Sequence, residues 1–374
     1  MPWGRESSSG VYARGRIVAV ALLIGLLALA AFAPRASAGT GREFFGVVPQ
    51  TAVTPAELER MSANGVGTIR VLFSMPEIEP EPGKFVWANT DQLVAASTAR
   101  GIRVVPTLWG APGWLNQLEG DADCGGRCAP GTKVGRDAWA EFAAAVVARY
   151  GPGGEFWEIT TDPPYALPIQ TYQIWNEQNS PKYFQPEPSP SRYAKLLIAV
   201  GRAIHSRDPS AEVLTGGMWG PPSADEVVPT TQYLRRLYRF PGAASAFDSV
   251  AVHPYSANLI GVSEQVEAVV QEIKRAHDDA GIWVTELGWA SGGPRDNGLV
   301  KTPKGQARLL ISSIEQLLAK RRAWRIRAVQ WYAWRDAPPE LTDCEWCPMS
   351  GLRKANGAPK PAARAFLRLA LARR

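Results

Sequence analysis

The stretch Tyr172-Gln173-Ile174-Trp175-Asn176-Glu177-Gln178-Asn179 is a short apolar run that ends in an amide and a carboxylate. A later stretch, Trp283-Val284-Thr285-Glu286, ends in a glutamate in the same way. Short apolar runs bounded by polar residues are typical of buried strands. A carboxylate is costly to bury in an apolar core, so we expect each glutamate to lie where its strand leaves that core.

The rest of the chain repeats this pattern of short apolar runs, with amphipathic helical segments between them. Alternation of this kind predicts βα units and a parallel sheet. Eight units in a chain of 374 residues suit a single α/β domain, a (β/α)8 TIM barrel with loop insertions on its C-terminal face. The runs are Phe44–Val48, Thr68–Leu72, Arg103–Leu108, Tyr172–Trp175, Glu212–Thr215, Ser249–His253, Trp283–Glu286 and Ala328–Trp334.

Helix signals lie between the runs. Thr54-Pro55-Ala56-Glu57 is a capping box with proline at the first helical position. Further helices are predicted over Asp91–Arg100 after Thr90, over Arg136–Tyr150 and, at the end of the chain, over Pro359–Arg374. The glycine- and proline-rich stretches are predicted to be loops within one domain, and they cover residues 111–135, 151–168, 216–229 and 291–302.

The N-terminal segment has the form of a secretion signal. Arg5, Arg14 and Arg16 precede an uncharged run over residues 17–33, and Ala36-Ser37-Ala38 resembles a small-x-small cleavage site. We therefore expect residues 1–38 to be a signal peptide and residues 39–374 to be a secreted or extracytoplasmic domain. The alternative is an uncleaved single-span anchor, because the run is close to the lower limit of spanning length.

The net charge bears on possible partners, and the cysteine content agrees with an exported protein. The formal net charge of +6 comes without basic clusters interleaved with aromatic residues, which gives no case for nucleic-acid binding. Cys124 and Cys128 form one close pair, and Cys344 and Cys347 form another. In an oxidising compartment both pairs are disulfide candidates, although the connectivity stays open. A zinc site of four thiolates is the alternative.

Two carboxyls brought together at the mouth of a barrel can carry out a specific kind of chemistry. Side chains at the C-terminal ends of barrel strands converge on one face, so Glu177 and Glu286 should meet there. Hydrolysis of a glycosidic bond needs one carboxyl to protonate the leaving oxygen and another to stabilise positive charge on the sugar. Different surroundings can separate the two pKa values far enough for these roles.

The stretches Trp175-Asn176-Glu177-Gln178-Asn179 and Thr285-Glu286-Leu287-Gly288-Trp289 resemble those of clan A retaining glycoside hydrolases. The likeness covers residues 44–370, and families 39 and 5 are the most similar branches. Family members often have proline after the Asn-Glu pair, where this chain has Gln178. The resemblance extends to the ends of other predicted strands, at Arg70, His253, Tyr255 and Trp334.

The resemblance implies a role for each of these residues. Glu177 would be the general acid/base and Glu286 the nucleophile, with Asn176 bound to the sugar 2-hydroxyl. Arg70 would lie near the nucleophile. A separation of about 5 Å between the carboxyls would imply retention of configuration. Tyr255, in the stretch His253-Pro254-Tyr255, would hydrogen-bond the nucleophile. Trp334 would form the floor of the sugar subsite.

Other tryptophans on the predicted loops are candidate sugar-stacking residues. Trp109, Trp114 and Trp219 follow the third and fifth runs, and ordinary loop packing is the alternative for each. The chain has no H-E-x-x-H, no G-x-S-x-G and no glycine-rich nucleotide loop after a strand. We therefore expect neither a metal nor another cofactor.

These features together predict an exported, monomeric, retaining β-glycoside hydrolase that acts on a poly- or oligosaccharide. A non-catalytic carbohydrate-binding barrel is one alternative, and a zinc-binding scaffold of the cell envelope is another. A transglycosylase, in which a sugar replaces water as the acceptor, would use the same site. The sequence does not distinguish among xylan, β-glucan, mannan and other polysaccharides.

Overall fold

The computed structural model describes residues 41–120, 124–159, 166–220, 226–342 and 344–372. The predicted signal segment, residues 1–38, lies outside these ranges. Within them, no helix combines the length and apolarity that a membrane span requires.

A closed parallel barrel forms the centre of the molecule. β1 pairs with β2 on one side and with β8 on the other, and every pairing in the sheet is parallel. The eight-stranded (β/α)8 prediction is therefore confirmed. The strands are β1 Phe45–Val48, β2 Thr68–Ser74, β3 Arg103–Trp109, β4 Thr171–Ile174, β5 in two segments (Glu212–Leu214 and Met218–Trp219), β6 Ser249–His253, β7 Gly281–Leu287 and β8 Ile326–Tyr332.

The predicted fifth run, Glu212–Thr215, matches only the first segment of β5, and the second segment lies in residues 216–229, which the sequence predicts to be a loop. The glycines between the two segments lie very close to other side chains. A Cβ atom on Gly216 would lie 1.9 Å from Gln178 Oε1, and one on Gly217 would lie 2.0 Å from His253 Nε2. Only glycine permits this close approach. Both segments still pair with β6, through Leu214 with Ser249 and through Met218 with Val252, so the barrel closes around the break.

Helices surround the barrel. Thr54 caps α1 as predicted, because its side chain accepts a hydrogen bond from the Glu57 amide at 3.3 Å. The helices are α1 Pro55–Ala63, α2 Met75–Ile78, α3 Ala88–Thr98, α4 Gly113–Glu119, α5 Lys133–Tyr150, α6 Glu155–Ile159, α7 Pro190–Arg207, α8 Thr230–Leu237, α9 Leu259–Arg275, α10 Pro303–Lys320 and α11 Pro361–Leu371. Single 3-10 turns cover Arg42–Phe44, Ala244–Ala246, Pro339–Leu341 and Cys347–Met349.

Two details of the helices depart from the sequence predictions. α3 begins three residues before Asp91, because Trp87 is already helical and Thr90 Oγ1 donates to the Trp87 carbonyl instead of capping. Two stretches that were predicted to be loops, residues 111–135 and 151–168, contain the short helices α4 and α6.

The core has two layers. Between sheet and helices lies a large apolar layer that includes Trp139, Trp175 and Tyr193. A smaller cluster belongs to the barrel strands and contains Val105, Leu214, Ala251, Trp283 and Ala328. The Trp283 indole donates to Glu212 Oε1 at 2.9 Å, which satisfies its only polar group. Trp283 is therefore part of the barrel core.

Candidate active site

The backbone directly after β4 turns sharply and sets the direction of Glu177. Trp175 and Glu177 both have positive φ, at 71° and 45°, a conformation uncommon for residues other than glycine. The Glu177 amide donates to the Gly217 carbonyl at 3.1 Å, and Asn176 forms a bridge with the same glycine. The Trp175 ring is fully buried, and its indole donates to the Tyr183 carbonyl at 2.8 Å. The tryptophan thus anchors the turn in the core while Glu177 extends into the barrel mouth.

Glu286 lies on β7, and two side chains from other strands hold it. Arg70 Nη1 donates to Glu286 Oε1 at 2.6 Å, and the Tyr255 hydroxyl donates to Glu286 Oε2 at 2.8 Å. Arg70 makes two further bonds, to Asn176 Oδ1 at 2.6 Å and to Gln173 Oε1 at 2.8 Å. One guanidinium therefore fixes the position of Glu286 and the orientation of the Asn176 amide.

His253 at the end of β6 lies between the two acids. Its Nδ1 is 2.8 Å from Glu177 Oε1, and its Nε2 is 3.6 Å from Glu286 Oε1. An oxygen of Glu177 and an oxygen of Glu286 lie within 4.8 Å of each other. Paired carboxyls of retaining glycoside hydrolases are separated by about 5 Å, whereas inverting enzymes leave a wider gap for water.

The surroundings shift the two carboxyl pKa values in opposite directions. Burial raises the pKa of Glu177, and the charge of Glu286 adds to this effect, although His253 and Arg70 oppose it. Burial also favours the neutral form of Glu286. There, however, the electrostatic influence of His253, the charge of Arg70 and the hydrogen bonds from Tyr255 and Arg70 outweigh burial and lower the pKa. The surroundings therefore favour the protonated form at Glu177 and the ionised form at Glu286.

Three side chains of the site, Glu177, His253 and Glu286, also have the geometry to hold a metal ion, with one ligand atom each. Among the described residues they are the one group that does. Arg70 already supplies a positive charge at 2.6 Å from Glu286, and His253 Nδ1 already contacts Glu177. A divalent cation would have to displace or oppose these groups. The donor set therefore fits proton transfer better than metal binding.

Two cavities open beside the acids. The first has a volume of about 650 Å³, and the residues that line it include Arg70, Thr107, Trp109, Asn176, Tyr183 and Glu286. The second has a volume of about 660 Å³, and Trp219, His253, Tyr255, Ala257 and Leu299 are among its lining residues. Trp109 carries a buried indole NH without a protein partner, so the first cavity offers an unused hydrogen-bond donor.

Most of the sequence-predicted site residues converge on this place. Hydrogen bonds or close contacts join Glu177, Glu286, Asn176, Arg70, His253 and Tyr255, while Trp109 and Trp219 line the cavities. Trp114 instead packs against the core, with its indole bonded to the Glu79 carbonyl at 3.0 Å.

Trp334 is not brought to the site. Its side chain is 2% exposed, its indole donates to Glu57 on α1, and the guanidinium of Arg353 lies 5.3 Å from its ring centroid. β8 ends at Tyr332, two residues earlier than the predicted run, and the Trp334 amide then bonds the Val48 carbonyl at 3.0 Å. The chain therefore carries Trp334 away from the acids and into the core.

Sequence reasoning missed three residues of the site. Gln173 accepts from Arg70, and its position inside a buried strand was the available signal. Tyr332 and Trp346 pack against Tyr255, with ring centroids 6.3 Å and 5.0 Å away. Tyr332 lies within the predicted eighth run and could have been chosen in place of Trp334. Trp346 had only its position between two cysteines to distinguish it.

The structure joins the cysteines in the two local pairs. The Cα atoms of Cys124 and Cys128 are 5.7 Å apart, and those of Cys344 and Cys347 are 5.3 Å apart. Each sulfur is bonded within its own pair.

The fold and the paired carboxyls place the chain among (β/α)8 barrels of the architecture found in clan A glycoside hydrolases. No family profile matches the sequence, and no curated protein does so either. Solved structures, by contrast, match it along most of its length. A family 39 glycoside hydrolase from the gut symbiont Bacteroides cellulosilyticus WH2 is 20% identical with a TM-score of 0.64. The match covers 88% of this chain and 64% of that one, so the chain spans just under two thirds of that enzyme's length.

Two further structures are similar. A monomeric beta-xylosidase from Caulobacter crescentus CB15 is 20% identical with a TM-score of 0.61, over 89% of this chain and 69% of that one. A GH5_18 protein from Streptomyces cattleya, solved in complex with Manb1-4GlcNAc, is 18% identical with a TM-score of 0.60, over 88% and 80%. At these identities the likeness establishes the fold.

Proposed function

We propose that this protein is a retaining β-glycoside hydrolase that works by double displacement, with Glu177 as general acid/base and Glu286 as nucleophile. The observation that carries the proposal is the pair of carboxyls within 4.8 Å of each other whose pKa values are shifted in opposite directions. Similarity to solved glycoside hydrolases supports the barrel fold that the proposal needs, and active sites of such barrels lie at the C-terminal face where these acids meet.

In the first step, a Glu286 carboxylate oxygen attacks the anomeric carbon of the bound sugar. A bond forms between that oxygen and the anomeric carbon while the glycosidic carbon–oxygen bond breaks. Glu177 transfers its proton to the departing oxygen, so the leaving group departs as a neutral alcohol. The raised pKa of Glu177 favours the protonated form that this step needs.

In the second step, water enters where the leaving group was and attacks the anomeric carbon. Glu177, now ionised, takes a proton from that water, and the bond to Glu286 breaks. Two inversions at the same carbon restore the original configuration. Arg70 and Tyr255 stabilise the carboxylate that Glu286 regains, and they need little rearrangement because both already contact it.

Asn176 is suited to hold the sugar in register. Its Oδ1 accepts from Arg70, so the amide NH2 group is turned away from that guanidinium. The residue lines the same cavity as Glu286 and Trp109. We propose that this amide donates to the sugar 2-hydroxyl, an interaction that strengthens as positive charge develops on the ring.

The two cavities suggest how a substrate lies across the site. We propose that the cavity with Arg70, Asn176 and Glu286 holds the sugar that is attacked. The second cavity, with Trp219 and Tyr255, then holds the leaving group, and its aromatic side chains favour a further sugar ring or an aryl group. A poly- or oligosaccharide fits both.

A panel of aryl β-glycosides and oligosaccharides tests the activity. β-Xylosides and β-mannosides come first, since the similar structures include a beta-xylosidase and a complex with Manb1-4GlcNAc. We expect hydrolysis with a first-formed product of unchanged anomeric configuration, read by proton NMR. Glu286→Ala should abolish turnover. Glu315→Gln, an exposed control on α10, should leave turnover within about twofold of the unsubstituted protein.

Two results would contradict the proposal. Binding of sugars without turnover, equally in the wild-type protein and in Glu286→Ala, would favour the non-catalytic carbohydrate-binding barrel. Turnover with inversion of configuration would exclude a glycosyl-enzyme on Glu286.

We also propose that the protein is exported, with residues 1–38 removed and residues 39–374 forming the catalytic domain. The supports are the sequence pattern of the segment and the two cysteine pairs at disulfide distance in the folded part. N-terminal sequencing of protein recovered from outside the cytoplasm should begin at Gly39. A start at Met1 would indicate an anchor.

A further inference from the structure

A three-ring aromatic cluster stands beside the acids, and one of its rings comes from the second cysteine loop. Trp346 lies between Cys344 and Cys347 in sequence, and only 9% of its surface is exposed. Its ring meets that of Tyr255 edge-on, with centroids 5.0 Å apart and an interplanar angle of 65°. It meets Tyr332 in a similar way at 5.7 Å.

Tyr255 is the member of this cluster that contacts a proposed reacting group. Its hydroxyl donates to Glu286 Oε2 at 2.8 Å. The direction of that bond depends on where the phenol ring lies, and the Trp346 edge limits its movement on one side. Tyr332, 6.3 Å from the same ring, limits it on another.

We propose that Trp346 is a positioning residue, held by the Cys344–Cys347 disulfide, which fixes the Tyr255 ring so that its hydroxyl stays directed at Glu286. The inference rests on the proposed function for its consequence in catalysis. It stands on the packing of this chain, since the Cys-Glu-Trp-Cys loop is not among the residues that the family resemblance rests on.

The loop that carries Trp346 is tied to the barrel from several sides, as a positioning role requires. Lys360, which is 4% exposed, donates to the Met349 carbonyl at 3.0 Å and to Ser291 Oγ at 2.8 Å, and it also pairs with Asp336. The Gln50 amide donates to the Cys347 carbonyl at 3.2 Å. These bonds connect the loop to the segments that follow β1, β7 and β8.

The test compares Trp346→Leu, Trp346→Phe and the unsubstituted protein through the pH dependence of kcat/KM. Loss of the ring should let Tyr255 move, weaken its bond to Glu286 and raise the pKa of that carboxyl. We expect the acidic limb of the profile to shift to higher pH by about half a unit to one unit in Trp346→Leu. The kcat should fall by about three- to tenfold in the same variant. Trp346→Phe should restore most of both.

A double-mutant cycle with Tyr255→Phe separates positioning from general destabilisation. The Tyr255→Phe variant should itself move the acidic limb upward, because it removes the hydroxyl. Adding Trp346→Leu to it should then move the limb no further. An equal displacement in both backgrounds, or no displacement in either, would overturn the proposal.

Two matched controls accompany the cycle. Trp324→Leu removes another nearly buried tryptophan, 7% exposed and just before β8, and should lower the melting temperature without moving the acidic limb. Cys344→Ser/Cys347→Ser should move the limb in the same direction as Trp346→Leu. Cys124→Ser/Cys128→Ser should leave it in place. Movement of the limb by either control, or none in Cys344→Ser/Cys347→Ser, would count against a specific link from this disulfide to Tyr255.

A second readout does not require turnover. Carbon-13 NMR of glutamate carboxyl carbons, with the Glu286 resonance assigned by its loss in Glu286→Gln, follows the titration directly. A shift of that titration to higher pH in Trp346→Leu supports the positioning role even if no substrate is hydrolysed. The absence of hydrolysis would count against the proposed function and not against the positioning role. An unchanged titration would overturn the positioning role.

Discussion

Arg70 Nη1 lies 2.6 Å from Glu286 Oε1, and the two side chains are only 6% and 12% exposed. Charge pairs removed from water interact more strongly than surface pairs, which are often worth less than about 1 kcal/mol. The same guanidinium also binds Asn176 and Gln173. Arg70 therefore contributes, with His253 and Tyr255, to the lowered pKa of Glu286, and it also orients the Asn176 amide that we propose faces the sugar.

Two substitutions of Arg70 should distinguish the contribution of its charge to activity from that of its hydrogen-bond geometry. Arg70→Lys keeps the charge but cannot make three directed bonds, so kcat/KM should fall by about ten- to a hundredfold. Arg70→Met removes the charge as well, and the loss should reach about a thousandfold with an upward shift of the acidic limb. Steady-state kinetics across pH measure both. Arg103→Lys, which alters a partly exposed pair with Glu43, is the control and should change kcat/KM by less than about twofold.

The pH–rate profile of the unsubstituted protein should be a bell. Glu286 must be ionised, and because its pKa lies below the ordinary 4.5, the acidic limb should fall below that value. Glu177 must be protonated for the first step, and because its pKa lies above 4.5, activity should persist to higher pH before the basic limb. Glu177→Gln should remove the basic limb from the residual activity on an activated aryl glycoside. A basic limb that is unchanged in Glu177→Gln would assign the acid role to another group.

Gly217→Ala should disrupt the site without touching either acid. The new Cβ would lie 2.0 Å from His253 Nε2, and the histidine would have to move away from Glu177 and Glu286. We expect a loss of kcat of at least about a hundredfold, since misplacement of about 1 Å can cost that much. Gly113→Ala, where a Cβ meets nothing within 4 Å, is the matched control. Equal activity in both variants would mean that His253 has no role in alignment.

Trp334 and Tyr332 should respond differently to substitution. Trp334→Phe removes the indole bond to Glu57 in the core, so the free energy of unfolding should fall by about 1–3 kcal/mol while KM stays unchanged. Tyr332→Ala alters the cluster beside Glu286, so it should change kcat or KM with a smaller loss of stability. Denaturant unfolding and steady-state kinetics on both variants show which residue contributes to stability and which contributes to the site. A raised KM in Trp334→Phe would instead support the sugar-floor role that the resemblance implies.

Much of the fold could be predicted from the sequence, because it depends on local patterns. The apolar runs and the helical stripes between them have the periods of strands and of surface helices. The helix cap at Thr54 could be predicted from the four residues Thr54-Pro55-Ala56-Glu57 alone. The second segment of β5 could not be predicted, since the close approach of Gly216 to Gln178 and of Gly217 to His253 joins residues that are remote in sequence.

Site residues carried by the barrel strands could be predicted from the sequence. Site residues carried by loops could not. Parallel strands end on one face, and this brings Glu177, Glu286, His253 and Tyr255 together once the barrel closes. Arg70 reaches them from within β2. Trp334 could not be placed, because an apolar run does not indicate where its strand ends and the chain turns. Contacts made by loops, such as that of Trp346 with Tyr255, depend on tertiary packing.

The most direct test of the central claim is to trap the proposed glycosyl-enzyme and find the residue that carries it. The protein is incubated with 2-deoxy-2-fluoro-β-glycosides that have a good leaving group, digested and mapped by mass spectrometry. We predict a mass increase of one fluoroglycosyl group on the peptide that contains Glu286, absent in Glu286→Gln and still formed in Glu177→Gln. An adduct on Glu177, or turnover of the unmodified glycoside with no adduct on Glu286, would contradict the account.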